Sequence, residues 1–268
     1  MGSYWRLAGY ANTPSAPEDV RVQLEALFDE IITELSLWDQ KSFISILNAS
    51  PAGTPHLMPT HFRKVWAASC RIAHESGMGF SPLFSKSGDV SDLNFESLTD
   101  ISGQIVRPEG FQFDLNAVAK GYAIDRAGDV LNALGMRSFL FEIGGDYIAR
   151  GIKPDKSAYW VEIDPRLTQS DKIRIAVIHQ AVATSGQLEQ AVLTGDGFSS
   201  HIRGAGIDLN DGVTVIADRC EEADGWATAL LTAGPAGPEL ADQLGLAAIF
   251  CSSGRAPIFS QAALDYLD

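Results

Sequence analysis

A carboxylate and a hydroxyl at helical spacing could together hold a divalent cation. Asp224 and Thr228 are four positions apart, which places both side chains on one face of the helix predicted for residues 223–233. Mg²⁺ is a hard ion that prefers oxygen ligands and keeps several waters, so few protein ligands suffice. Taken alone, the pair is more typical of a capped helix start than of a metal site, because caps are far commoner.

A second predicted helix, at 117–134, begins close to an acid and a lysine. Asp114 and Lys120 lie six positions apart near its N-terminus, and Asp125 follows within the helix. The next predicted strand runs into the glycines and the acid of residues 144–146, which permits either a tight turn or close approach of the backbone to a ligand. By themselves, these features are more typical of solvated helix residues and of a turn.

Two further segments end strands with hydroxyl or imidazole groups. Thr184 and Ser185 stand beside a glycine at the end of the predicted strand 181–184, and His201 lies in the predicted strand 198–202. A neutral imidazole could accept a proton from a hydroxyl group. Since a lone histidine is more often structural, His201 is a candidate base only within a wider pattern.

The composition excludes several classes of function. The chain has 268 residues, 20 basic and 34 acidic side chains and a net charge of −14, so it repels polyanions and is not expected to bind nucleic acid. No apolar stretch is long enough for a membrane span, and the N-terminus lacks the pattern of a signal peptide. The three cysteines lie far apart, which excludes a CxxC zinc site. We therefore expect a cytoplasmic protein as the sequence is written, with an exported form whose leader has been removed as the alternative.

Hydrophobic periodicity predicts helices that flank a run of short strands. The helices are expected at about 18–37, from Thr60 to a stop at Gly77, and at 117–134, 223–233 and 236–244. The strands are expected at 138–143, 147–150, 159–163, 173–178, 181–184, 198–202, 213–217 and 246–251. Residues 78–112 are rich in Ser, Gly, Asp and Pro and predict loops. Helices around a largely antiparallel meander indicate an α+β fold, in a single domain over residues 1–268.

Taken in order, these segments resemble the ApbE family of FAD:protein FMN transferases over nearly the whole chain. The family pattern Asp-Leu-Gly-Gly-Ile-Ala-Lys-Gly-Tyr-Ala-x-Asp is matched at 114–125 except at positions 116–118. The family's GGD, ATSG and AD-x-x-(A/S)-T segments recur at 144–146, 183–186 and 223–228. The opening residues 1–4 and the segment 38–48, similar to the family's dSelSrlN, are weaker matches. The ordered series is highly specific and implies an ApbE-like (T-fold-like) architecture with an antiparallel sheet flanked by helices.

The resemblance implies a Mg²⁺-dependent phosphoryl transfer in which FMN moves from FAD to a threonine or serine hydroxyl of an acceptor flavoprotein and AMP is released. The implied metal ligands are the side chains of Asp224 and Thr228 and the carbonyl oxygens of Ala117 and Ala227, and His201 is the implied proton acceptor. The positions implied to contact FAD are Met1, Trp38, Gly79, Phe80, Ser81, Asp114, Lys120, Thr184 and Ile202. On residue type alone, Trp38 and Phe80 are also interpretable as core residues.

Departures from the family pattern leave other functions open. Ser81 stands where the family has an aspartate, and residues 204–206 replace the Asp-Pro that normally follows the histidine. An opened loop that admits water would give an FAD pyrophosphatase that releases FMN and AMP. Loss of turnover would leave a non-catalytic FAD-binding protein.

Overall fold

Fifteen short strands supply the sheets of the computed structural model, which describes residues 4–11, 17–85, 94–163, 167, 172–186, 192–194, 197–199, 212–252 and 255–266. Within these ranges the strands are β1 (Trp5–Ala11), β2 (Pro55–Leu57), β3 (Leu83–Ser85), β4 (Gln104–Val106), β5 (Phe111–Phe113), β6 (Met136–Ile143), β7 (Asp146–Arg150), β8 (Tyr159–Glu162), β9 (Arg174–Val177), β10 (Ala181–Gly186), β11 (Val192–Thr194), β12 (Gly197–Ser199), β13 (Gly212–Ala217), β14 (Ala247–Cys251) and β15 (Ile258–Phe259). Seven of them form one sheet in the order β1-β6-β7-β10-β13-β14-β15, and each neighbouring pair is antiparallel. Four two-stranded pairs, β2–β4, β3–β5, β8–β9 and β11–β12, stand beside it.

Helices pack on one face of the large sheet and on one another. They are α1 (Pro17–Leu35), α2 (Phe43–Ala49), α3 (Thr60–Glu75), α4 (Asn116–Ala133), α5 (Cys220–Thr232) and α6 (Gly237–Leu244). Helix α4 packs on β6, and α5 packs on β10 and β13. Within the described ranges, none of these helices combines the length and the apolar character that crossing a bilayer requires.

The opposite face of the sheet is also buried, under the β8–β9 hairpin and a 3₁₀ helix at Gln261–Tyr266. Ala181 and Ala183 of β10 face the helices, whereas Val182 between them faces the hairpin. Burial on both faces explains why such strands read as continuous apolar runs rather than as alternating ones. The large sheet is therefore packed on both faces.

The α+β prediction is confirmed, and the long helices lie where periodicity places them. The helix predicted at 18–37 is α1, and the helices predicted from Thr60 and at 117–134 are α3 and α4. Gly77 follows the end of α3 with φ of 64°, a left-handed conformation that suits glycine. The strand predicted at 198–202 overlaps β12, but residues 200–202 lie outside the described ranges.

The sequence analysis missed β1 and α2. Strand β1 pairs with β6 at the edge of the sheet, and only residues 1–4, which precede it, were interpreted, as a weak motif. Helix α2 has seven residues, too few for a helical period to emerge. The segment 78–112, expected to form loops, contains β3, β4 and β5 as short strands.

Candidate active site

Helices α4 and α5 meet at Gly121. The N–H of Gly121 donates a 2.9 Å hydrogen bond to Oδ2 of Asp224, whose side chain is buried. A Cβ atom at position 121 would lie 2.2 Å from the carbonyl oxygen of Cys220, so only glycine permits this approach. In a regular helix the same N–H would donate to the carbonyl of Ala117. Asp224 therefore competes with that carbonyl for its donor.

Asp125 joins the same two helices one turn further along α4. Its carboxylate accepts 2.9 Å hydrogen bonds from the backbone N–H groups of Cys220 and Glu221, the first two residues of α5. Such N–H groups have no acceptor inside their own helix, so Asp125 caps α5 from 95 positions away. Burial raises the pKa of Asp125 to about 6, although the hydrogen bonds from Cys220 and Glu221 act in the opposite direction.

Asp125→Asn is expected to change how stability depends on pH. The folded-state pKa of about 6 lies above the ordinary 3.8, so between these values the folded chain holds a proton that the unfolded chain has released. Raising the pH through this window lowers the free energy of unfolding of the native protein, by up to about 3 kcal/mol from this group. The variant lacks that decline. Urea unfolding of both proteins at about pH 4 and about pH 7 measures it, and a native-to-variant gap that is equal at both values would contradict the assignment.

An ion pair between a partly buried lysine and a buried carboxylate lies next to the meeting point of the helices. Lys120 Nζ is 2.7 Å from Oδ2 of Asp146, whose side chain is 1% exposed. Oδ1 of Asp146 accepts a 3.1 Å hydrogen bond from the N–H of Thr184, which ties β7 to β10. Burial lowers the pKa of Lys120, but the charges of Asp146 and Asp224 outweigh burial and raise it above its ordinary value. Burial in turn raises the pKa of Asp224, against the opposing charge of Lys120.

Two pairs of hydroxyl groups lie along β10, one on each face of the sheet. Thr184 Oγ1 lies 2.9 Å from Thr214 Oγ1 of β13, and Ser185 Oγ lies 2.9 Å from Thr228 Oγ1 of α5. Successive side chains of a strand point to opposite faces, so Ser185, and not Thr184, faces the helix that carries Thr228. Sequence reasoning missed the role of Ser185, although the residue stands in the ATSG segment and strand alternation could have distinguished it from Thr184.

The segment that follows α3 is tied to α5 and to the start of α4. The hydroxyl of Thr232, one turn beyond Thr228, donates to the carbonyl of Gly79. The N–H of Asp114 donates a 3.0 Å hydrogen bond to the carbonyl of Pro82. These two bonds bring Gly79 and its neighbours beside Asp114 and beside helix α5, which carries Asp224 and Thr228.

Within this segment, the side chain of Phe80 packs in the core, whereas the side chain of Ser81 bonds the backbone. Phe80 is 7% exposed, so it packs in the core as its residue type allows. The hydroxyl of Ser81 donates to the carbonyl of Leu83 at 3.0 Å and accepts from the N–H of the same residue at 3.1 Å. Ser81 thus closes a local turn at the position where the family has an aspartate.

Trp38 is presented to solvent by a turn built from serines. Its side chain is 78% exposed, so the interpretation of Trp38 as a core residue is wrong. The carbonyl of Ser36 accepts hydrogen bonds from the hydroxyls of Ser42 at 2.6 Å and Ser45 at 3.1 Å. These bonds fix the turn and hold a large aromatic surface away from the core.

Asn48 connects this segment to the strand that precedes Asp114. Its amide donates to the carbonyl of Phe113 at 2.9 Å and accepts from the N–H of Phe113 at 2.7 Å. The paired bonds fix β5 against α2 as a further strand would. The segment 38–48 is therefore anchored to the residue immediately before Asp114.

The model of the ApbE family matches residues 1–250. The chain belongs to the ApbE family. Among its relatives, the FAD:protein FMN transferase of Vibrio cholerae is 30% identical over 266 residues, which cover 87% of this chain and 79% of that protein. The FAD:protein FMN transferase of Klebsiella pneumoniae is 23% identical over 273 residues, which cover 88% and 77% of the two proteins.

Solved ApbE structures share the fold. The flavinyl transferase ApbE of Pseudomonas stutzeri, in its apo form, superposes with a TM-score of 0.80 at 24% identity and covers 98% of this chain and 96% of that chain. The ApbE protein of Thermotoga maritima superposes with a TM-score of 0.81 at 19% identity and covers 99% of both. The antiparallel sheet with its helical layer is therefore the ApbE architecture.

Some positions implied by the ApbE resemblance stay predictions. Met1, His201 and Ile202 lie outside the described residues. Ala117 lies in the first turn of α4, and Ala227 lies inside α5 with no exposed surface. The role of either carbonyl as a metal ligand is a prediction that their placement leaves open.

The oxygen atoms beside Asp224 suit a hard divalent cation. The carboxylate of Asp224 and the hydroxyls of Thr228 and Ser185 are oxygen donors of the kind that Mg²⁺ prefers, and this ion fills its remaining positions with water. In the part of the chain that the structure describes, no three His, Cys, Asp or Glu side chains group so as to hold a metal ion. The donor set present thus fits Mg²⁺ by its chemistry.

Proposed function

We propose that this chain transfers the FMN half of FAD to a threonine or serine hydroxyl of an acceptor flavoprotein, with Mg²⁺ as cofactor and AMP as the other product. One observation carries the proposal: Lys120, Asp224 and Thr228 converge where α4, α5 and β10 meet. Membership of the ApbE family and the names of its relatives support the same reaction.

The cation would be held by the side chains of Asp224 and Thr228, with the carbonyls of Ala117 and Ala227 as further ligands. Ser185 donates to or accepts from the Thr228 hydroxyl at 2.9 Å, which orients the oxygen that would face the cation. When bound, Mg²⁺ supplies positive charge that stabilises the diphosphate and the departing AMP.

The chain's own residues bind FAD and move one proton. Lys120 places a positive charge where the diphosphate would lie, and Asp114 holds the start of α4 beside it. The hydroxyl oxygen of the acceptor forms a bond to the phosphorus of the FMN half, and the bond from that phosphorus to the bridging oxygen breaks, so that AMP leaves. The hydroxyl proton passes to His201, the base implied by the family position.

The remaining contacts to FAD are proposed from family positions. They are Met1, Trp38, Gly79, Phe80, Ser81, Thr184 and Ile202. Two of these residues act through the backbone or the core in the described structure, because the Thr184 N–H is bonded to Asp146 and Phe80 is buried. Among the members of this set that the structure describes, Trp38 exposes a large side chain, at 78%.

AMP release from FAD tests the function. The native chain is expected to release AMP only with Mg²⁺ and to leave a denaturation-resistant fluorescent band on a threonine- or serine-bearing acceptor. Thr228→Val, which removes one hydroxyl, is expected to slow AMP release about a hundredfold. Thr33→Val, the same change on the exposed surface of α1, is the matched control. Metal-dependent AMP release without any acceptor would instead identify a pyrophosphatase, and FAD binding without AMP release or flavinylation would identify a non-catalytic flavin-binding protein.

Trp38→Ala is expected to weaken FAD binding about tenfold, because an exposed ring loses a stacking contact with the flavin or the adenine. The free energy of unfolding should hardly change, since the side chain is 78% exposed. Fluorescence titration with FAD measures the affinity. Trp160→Ala, at another exposed tryptophan on β8, is the control, and equal affinities for the two variants would contradict a stacking role for Trp38.

A further inference from the structure

Lys120 contacts one buried carboxylate and immediately precedes Gly121, whose N–H binds a second. Its Nζ is 2.7 Å from Asp146 Oδ2, and it also interacts electrostatically with Asp224. Asp146 and Asp224 are 1% and 3% exposed. The nearby Arg219 is engaged elsewhere, since it contacts Glu221 at 2.8 Å and Asp125 at 3.6 Å.

The two carboxylates are fixed by the backbone, whereas the lysine stem is flexible. Asp146 begins β7 and accepts the N–H of Thr184 through Oδ1 at 3.1 Å. Asp224 accepts the N–H of Gly121 at 2.9 Å. Because Lys120 immediately precedes Gly121, its four-carbon side chain starts beside Asp224 and ends on Asp146. The ammonium therefore has a second carboxylate within reach if it loses the first.

We infer that Asp146 is a positioning residue that holds the Lys120 ammonium away from Asp224 and so keeps the Asp224 carboxylate available to a divalent cation. An ammonium paired directly with Asp224 would neutralise its charge and repel the cation at short range. The inference rests on the metal site of the proposed function. It adds a role for the acid of the GGD segment, which contacts neither the cation nor FAD in that proposal.

Asp146→Asn tests the inference through Mg²⁺ binding to the FAD-free protein, measured by calorimetric titration. The amide retains an oxygen for the Thr184 N–H but loses the charge that holds Lys120. We expect the Mg²⁺ dissociation constant to rise about tenfold, since the ammonium then pairs with Asp224. Asp129→Asn, the same change at a half-exposed acid of α4, should leave the constant unchanged.

Removal of the lysine should rescue the metal site. In the double variant Lys120→Met, Asp146→Asn no ammonium competes for Asp224, and the dissociation constant is expected to return to within about threefold of the native value. A purely structural role for Asp146 would give weak binding in both variants. The double variant replaces the ion pair by neutral groups. Its Mg²⁺ affinity therefore still tests the inference if Asp146→Asn alone fails to fold.

The outcomes distinguish the positioning role of Asp146 from the metal site itself. Weak Mg²⁺ binding by the double variant, or native affinity in Asp146→Asn, would overturn the positioning role and leave the metal site standing. Absence of Mg²⁺ binding by the native chain would overturn the metal site and the inference together. Weakening that is rescued by the second substitution supports both.

Discussion

Asp224→Asn is expected to reduce Mg²⁺-dependent AMP release from FAD roughly a thousandfold. The amide has nearly the shape of the carboxylate and still offers an oxygen to the N–H of Gly121, so the contact between α4 and α5 survives. What disappears is the negative charge, which the proposed cation needs most because the other ligands are neutral oxygens. The loss should therefore appear in catalysis and in metal binding rather than in folding.

The measurement compares AMP release over a range of Mg²⁺ concentrations with the free energy of unfolding of the same proteins. Asp129→Asn, on the exposed side of α4, makes the same chemical change and should behave as the native chain. AMP release by Asp224→Asn at the native rate would show that the proposed cation does not depend on Asp224. A large loss of stability would show that Asp224 acts mainly as a structural partner of Gly121.

The parts of the site that the sequence predicted are those that one helix or one motif holds together. Asp224 and Thr228 share a helix face by spacing alone, and α4 begins close to Asp114 as its periodicity indicated. Local geometry decides such placements, because residues four apart on a helix are neighbours whatever surrounds them. The fold class followed for the same reason, from long amphipathic helices and short strands.

The partners across the fold were not predictable from local pattern. By its type and position in the sequence Asp125 is interpretable as a solvated helix residue, yet it is 2% exposed and caps α5. That remote cap also explains why α5 begins at Cys220, three positions before the predicted start at 223. Asp146 was interpreted as part of a turn, but its contact with Lys120 exists only once β7 and α4 are packed.

Trp38 shows that residue type can also mislead about burial. A tryptophan near a helix end is usually buried, but the hydroxyls of Ser42 and Ser45 bond the carbonyl of Ser36 and turn the chain outward. Ser42 and Ser45 belong to the segment that resembles the family. The sequence therefore revealed the motif, but it did not predict that these serines stabilise a turn. A short turn stabilised by side chains leaves no periodic signal.

Gly121→Ala is expected to destabilise the protein by more than about 3 kcal/mol. The added methyl would lie 2.2 Å from the carbonyl oxygen and 2.5 Å from the carbonyl carbon of Cys220. These are backbone atoms at the capped start of α5, and Asp125 holds that start in place, so relief requires the helices to separate. Separation would also withdraw Asp224 from the N–H of Gly121, and FAD-dependent activity should fall with stability.

Gly128→Ala provides the matched control on the same helix. A Cβ there meets Ile148 Cδ1 at 3.5 Å, which is ordinary van der Waals contact, and alanine is a better helix former than glycine by about 0.5–1 kcal/mol. Urea unfolding should therefore show the native chain less stable than or equal to Gly128→Ala and clearly more stable than Gly121→Ala. Equal midpoints for the two glycine variants would mean that α4 and α5 can move apart freely, and the buried contact of Gly121 with Asp224 would then not define the geometry of the site.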